Sequence, residues 1–186
     1  AQFGPSKRVL GVIRPTAEVI GRFSESGQLG VLATKGTVNS ESYLLEIAHF
    51  FPDMRVFQQA CPMWVPLIEN GEHEGAGADY FVKDSLDQLM SQSPAIDTVL
   101  LACTHYPLLI PKIEAQLPKH IQVVSQGEIV AQSLANYLER HPAMADHCSK
   151  NGHIRFCTTD STTDFDEKGA IFFGKSLKSE HILLGH

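Results

Sequence analysis

Short apolar runs, hydrophobic on both faces, alternate along this chain with longer stretches whose apolar residues recur at helical spacing. Residues 8–13, 29–34, 55–61, 97–102 and 121–124 read as strands. Residues 15–26, 37–51, 78–91, 107–117 and 128–140 read as helices, the first opened by Pro15 and stopped by Gly27. Residues 62–77 read as a loop-rich stretch. Such alternation builds β-α-β units around an open, mostly parallel sheet flanked by helices, an α/β fold. Its crossovers are right-handed, and sites in such sheets gather at the carboxyl ends of the strands. Beyond residue 140, a polar linker (141–152) precedes a strand (153–158), a short helix (164–173) and an apolar end, Ile182-Leu183-Leu184.

Composition removes several classes of function. The net charge is −6 and the fifteen Lys and Arg are scattered, which leaves no electrostatic footprint for nucleic acid. No apolar run approaches the ~20 residues needed to span a bilayer, and the opening residues lack a signal-peptide pattern. A cytoplasmic protein without membrane attachment is expected. The four cysteines, at 61, 103, 148 and 157, form no Cys-x-x-Cys pair, and in such a chain free thiols are expected. The nine His form no His-Glu-x-x-His cluster, so no metal site is expected.

Cys103 follows the strand Val99-Leu100-Leu101-Ala102 and so stands at a strand's carboxyl end. Pro107 is placed to open a helix, whose N–H groups would favour a thiolate and receive a substrate carboxylate. His105, two residues on, is placed to hold or share the thiol's proton. The structural alternative is a small buried hydrophobe closing a strand. A second candidate is Glu69 in Pro66-Leu67-Ile68-Glu69, a carboxylate suited to orienting a histidine, or else a solvated loop acid. A third lies in Ala33-Thr34-Lys35-Gly36-Thr37, where Thr34 and Thr37 offer hydroxyls between strand and helix. Thr37 reads equally well as a helix N-cap.

The string Cys103-Thr104-His105-Tyr106-Pro107-Leu108-Leu109 resembles the signature of bacterial glutamate racemases, with Ala102 where that family usually has Gly. Gly11-Val12-Ile13-Arg14-Pro15, the segment from Gly30 to Val38, and Val65-Pro66-Leu67-Ile68-Glu69 resemble further blocks of the family in the same order. The resemblance covers most of residues 8–140. Related aspartate racemases typically carry Glu at the place of His105.

The resemblance implies a racemase of the aspartate/glutamate racemase-like fold, acting on L- and D-glutamate without a cofactor. It also implies supply of D-glutamate for peptidoglycan, a bacterial cytoplasmic setting and a homodimer. Two thiols on opposite faces of the substrate would exchange the Cα proton. Cys103 would be one of them, His105 would assist it, and Glu69 would support from behind. Thr104 and His105 would contact substrate, with Thr34 and Thr37 as weaker candidates.

The family's Asp-Ser-Gly, Pro-Tyr-Gly and first Cys-Asn-Thr segments have no counterpart in these residues. None of Cys61, Cys148 and Cys157 has the Asn-Thr context. The expectation is therefore a second domain over residues 8–125, with residues 126–186 returning to an N-terminal domain that the chain lacks. Such a piece would be inactive alone and inclined to self-associate. Other readings of the same residues are an aspartate or hydantoin racemase, a single-cysteine decarboxylase, a Cys-His hydrolase, or a half-domain that only binds. His105 and the Tyr106-Pro107-Leu108-Leu109 extension argue against the racemase and decarboxylase variants.

Overall fold

The expected strands are apolar on both faces because both faces are covered. In the computed structural model, which describes residues 10–184, four strands form a wholly parallel sheet. They are β1 (Gln28–Ala33), β2 (Arg55–Ala60), β3 (Thr98–Leu101) and β4 (Gln122–Ser125), in the order β2-β1-β3-β4. The period of two sorts their side chains. Leu29, Val31 and Ala33 of β1 join Leu100 of β3 on one face, against Ala17 of α1 (Ile13–Ala17) and Tyr43 and Ile47 of α3 (Ser42–Phe50). Leu32 joins Val99 and Leu101 on the other. There they meet Trp64 and Ile68 of α4 (Trp64–Glu69), Val82 and Leu89 of α5 (Ala76–Gln92) and Ile113 of α6 (Ile110–Gln116). Each such buried Leu or Ile contributes about 1.5–3 kcal/mol over leaving it exposed. Gly30 lets α5 come close, since a Cβ there would lie 2.7 Å from Leu89 Cδ2.

Chain order then fixes where a site can form. From β1 the chain runs through α2 (Lys35–Ser40) and α3 to β2, then through α4 and α5 back across to β3. The connection leaving β1 thus packs on one face, and α6, which follows β3, packs on the other. Neighbouring strands whose connections part to opposite faces leave a crevice between their carboxyl ends.

Several local expectations change. Residues 8 and 9 lie outside the described residues, but residues 10–12 form no strand: Leu10 and Val12 are 55% and 52% exposed, and α1 begins at Ile13. Pro15 is the third residue of α1, where an N–H would have no intrahelical partner anyway. The remainder of the expected helix shortens to a 3₁₀ turn, Ile20–Phe23, and Gly27, at φ +69°, turns the chain into β1. The helix expected over 37–51 is broken at Glu41, which takes left-handed geometry. Ser40 there donates to Thr37 O and accepts from Ser42 N, so its hydroxyl competes with the helical ladder. The stretch 62–77 contains α4, tolerated because Pro66 again falls in a first turn. Helix α7 (Gln126–Arg140) starts two residues earlier than expected.

The chain divides into two units, Ala1–Ala135 and Asn136–His186. The second contains α8 (Pro142–Asp146), inside the expected linker, and a β-α-β unit. Strand β5 (Phe156–Thr158) pairs in parallel with β6 (Ser179–His181), a strand that precedes the apolar end rather than coinciding with it. Between them α9 (Thr162–Phe173) is capped by Ser161 and closed by Gly174 at φ +71°. Among the described residues no helix is long and apolar enough to cross a membrane.

Candidate functional site

Adjacent strands β1 and β3 end level. Leu32 pairs with Leu101, and the N–H of Ala102 donates to Leu32 O at 2.8 Å. Thr34 and Cys103 therefore leave the sheet side by side, at the crevice described above. Cys61 leaves β2 on the far side of β1, its N–H donating to Ala33 O.

Cys103 is half-buried, and a chain of polar atoms runs outward from it. His105 Nδ1 lies 3.9 Å from Cys103 Sγ, and His105 Nε2 lies 3.1 Å from Glu69 Oε1. Glu69 is the last residue of α4, so the helix hidden in the expected loop is what delivers it. An ionised Glu69 can only accept, which places a hydrogen on Nε2 and leaves Nδ1 of a neutral imidazole as an acceptor toward the thiol. Thr104 Oγ1, 3.5 Å from Nδ1, competes weakly for the same lone pair.

Burial pushes the Cys103 thiol above its ordinary pKa, and the backbone N–H groups of His105 and Tyr106 pull it back only in part. The expected preference for the thiolate is thus outweighed. The residues that follow, Tyr106–Leu109, form a 3₁₀ turn that runs directly into α6. Tyr106 is fully buried, donates to Cys61 O and meets Trp64 edge-on at 4.8 Å, which anchors the backbone just after His105. Cys61 is buried just after β2, and burial pushes its thiol up to about 12.

Thr34, not Thr37, caps α2: its Oγ1 accepts from Thr37 N, and the two hydroxyls lie 3.0 Å apart. The two threonines bond each other rather than the Cys103–His105 chain. The structure thus brings together Cys103, Thr104, His105 and Glu69, with Thr34 and Thr37 at the neighbouring strand end.

Two further residues at this end went unnoticed in the sequence. Gln126, the first residue of α7, donates through Nε2 to Tyr43 Oη at 2.6 Å and to Leu101 O at 3.2 Å. Tyr43 is buried and reads as an ordinary apolar position of its helix. Placing every strand's last residue at one level would have found Gln126, because it follows Ser125 of β4 as Ala102 follows Leu101 of β3.

No protein-family model matches the chain. Its sequence is 39% identical over 162 residues to the glutamate racemase of Shouchella clausii, covering 87% of this chain and 57% of that protein. It is 33% identical over 176 residues to the glutamate racemase of Streptococcus suis, covering 95% of this chain and 66% of that protein. The chain thus spans somewhat less than two thirds of the length of these curated relatives. The crystal structure of glutamate racemase isoform RacE1 from Bacillus anthracis superposes with a TM-score of 0.88 at 31% identity, over 98% of this chain and 67% of that one. Sequence and superposed fold agree, and the chain belongs to the glutamate racemase family.

Proposed function

We propose that the protein carrying this chain is a glutamate racemase, interconverting L- and D-glutamate without a cofactor, with Cys103 as one of two acid/base thiols. The observation that carries this reading is the chain Cys103–His105–Glu69 at the carboxyl end of β3, beside Thr34 at the end of β1. Inverting a stereocentre needs a base on one face of Cα and an acid on the other. One thiolate takes the Cα proton, and the C–H electron pair delocalises into the substrate carboxylate. The opposite thiol delivers its proton to the other face, so the two sulfurs exchange protonation states and charge balances. His105 Nδ1 is the acceptor that can relieve Cys103 of its proton, and Glu69 fixes the tautomer that makes it one. Thr104, with Thr34 and Thr37, would supply donors to the substrate's carboxylates.

In this reading the facing thiol comes from another α/β domain of the intact protein, and residues 126–186 belong to that domain. Supply of D-glutamate for peptidoglycan in a bacterial cytoplasm, and a homodimeric enzyme, follow from the same reading.

The test is incubation of the intact protein with L- and then D-glutamate in D2O, with no pyridoxal phosphate or metal added. Proton NMR follows loss of the Cα hydrogen and circular dichroism follows inversion. Both are expected, and both should vanish in Cys103→Ala. Exchange with aspartate but not glutamate would reassign the substrate. A covalent acyl adduct on Cys103 would replace the racemase with a hydrolase, and binding without exchange would leave a ligand-binding module.

A further inference from the structure

Two contacts join the same helix to the same turn. Helix α4 begins at Trp64 and ends at Glu69, and the turn after β3 carries His105 and then Tyr106. Glu69 Oε1 meets His105 Nε2 at 3.1 Å, while at the start of α4 the rings of Trp64 and Tyr106 meet edge-on at 4.8 Å. The Tyr106 hydroxyl adds a polar tie. It donates to Cys61 O at 3.3 Å, the same carbonyl that accepts from the N–H of Trp64, also at 3.3 Å. The indole N–H of Trp64 is in turn held by Phe81 O of α5 at 3.2 Å. We infer that Tyr106 is a positioning residue: its hydroxyl, tied to the start of α4, keeps the far end of that helix where Glu69 selects the His105 tautomer. This rests on the reading of His105 as the acceptor for the Cys103 proton.

Packing alone does not call for the hydroxyl. A Phe ring would fill the same space against Trp64, and a buried hydroxyl costs free energy unless it is bonded. Burial pushes the phenol well above its ordinary pKa, so the group stays a donor. The carbonyl of Cys61 can take both donors because it carries two lone pairs, and through that one atom the turn and the helix start are fixed to each other. Helix α4 is only six residues long and moves as a unit. Glu69 stands five residues from Trp64, about 7.5 Å along the axis, so a tilt of about 10° at Trp64 carries the Glu69 end by about 1.3 Å. A displacement of that size ends the 3.1 Å bond to His105. The two bonds at Cys61 O resist the tilt.

The experiment reads the His105 tautomer by nitrogen NMR of the histidine-labelled intact protein at about pH 8, where an imidazole is neutral. His105→Asn supplies the assignment. The unaltered protein is expected to hold the ring proton on Nε2. In Tyr106→Phe the ratio of the Nε2–H to the Nδ1–H form should fall by about threefold to tenfold, the worth of one hydrogen bond. Cα-proton exchange should slow through kcat, with KM little changed. Glu69→Leu sets the full loss, and Tyr106→Phe should lie between it and the unaltered protein. Trp64→Phe, which loses the bond to Phe81 O, should shift the ratio the same way and decides the matter if Tyr106→Phe does not fold. Ile121→Val, a core change on the same sheet face but at the other end of the strands, should leave the ratio alone. A ratio unchanged in Tyr106→Phe overturns the inference. An equal shift in Ile121→Val overturns it too, since that would mean general loosening of the core. Absence of glutamate exchange in the unaltered protein would sink the racemase reading, while a tautomer shift in Tyr106→Phe would still uphold the positioning role.

Discussion

His105 Nε2 lies 3.1 Å from Oε1 of Glu69, a residue thirty-six positions earlier that closes helix α4. In the proposed mechanism the contact sets which ring nitrogen is the acceptor toward Cys103, so the two residues act on the thiol through proton placement rather than through charge alone. Replacing Glu69 with Leu removes the acceptor and lets the imidazole rotate or change tautomer. Cα-proton exchange in the intact protein is expected to slow by about tenfold to a hundredfold, less than the loss of an acid/base group itself. Glu69→Gln keeps an acceptor oxygen and should lose less than Glu69→Leu. Equal rates in Glu69→Leu and the unaltered protein, measured by NMR in D2O, would remove Glu69 from the site.

The thiol of Cys103 is held above the ordinary cysteine range by burial, with the His105 and Tyr106 N–H groups only partly offsetting it. At neutral pH it is therefore mostly S–H, and only the small thiolate fraction reacts with alkylating agents. Its alkylation rate should keep rising with pH from 7 through 8 without a plateau. A plateau below pH 8 would show that the N–H groups outweigh burial, contrary to this geometry.

Thr34 and Thr37 carry different burdens although their hydroxyls touch. Thr34 caps α2 through its bond from Thr37 N, whereas the Thr37 side chain adds only the hydroxyl contact. Thr34→Ala is expected to lower unfolding stability by about 1 kcal/mol, the usual worth of an N-cap, and Thr37→Ala by less. Urea titrations of both variants give the comparison. A larger loss in Thr37→Ala would mean that α2 is held from elsewhere.

How much of this was visible beforehand depends on how local each signal is. The sheet was legible because strands covered on both faces need continuous apolar runs, and β1 to β4 each fall within about two residues of the expected segment. Cys103 and His105 were legible because they lie two residues apart at a strand end. Helix α4 was hidden by Pro62, Pro66 and the glycines that follow, although a proline in a first turn costs a helix nothing. Gln126 and Tyr43 could not be seen, since their meeting depends on β4 lying next to β3, and strand order is not written in any local pattern. Residues 10–12 misled in the opposite sense: an apolar run reads as a strand whether or not a neighbour exists to pair with it.

The end of the sheet opposite the thiol is held by a carboxylate. Asp97, just before β3, accepts hydrogen bonds from Ser24 Oγ at 2.6 Å and from the N–H groups of Glu25 and Ser26 at 2.8 and 2.7 Å, tying the turn before β1 to β3. Burial alone would raise its carboxyl, but the bonds from Ser24, Ser26 and Thr98 outweigh it and bring the pKa down to about 2. An unfolded Asp titrates near about 3.9, so the folded state binds this proton less readily than the unfolded one. Asp97 therefore stabilises the fold in full above about pH 4, and that contribution fades as pH falls through about 2. Asp97→Asn keeps an acceptor but loses the charge, and should cost about 1–3 kcal/mol at pH 7 and progressively less toward pH 2. Thermal melts of both proteins between pH 2 and 7 should converge at the acid end. Parallel curves with a constant gap would mean that the carboxylate's charge has no part in holding the turn.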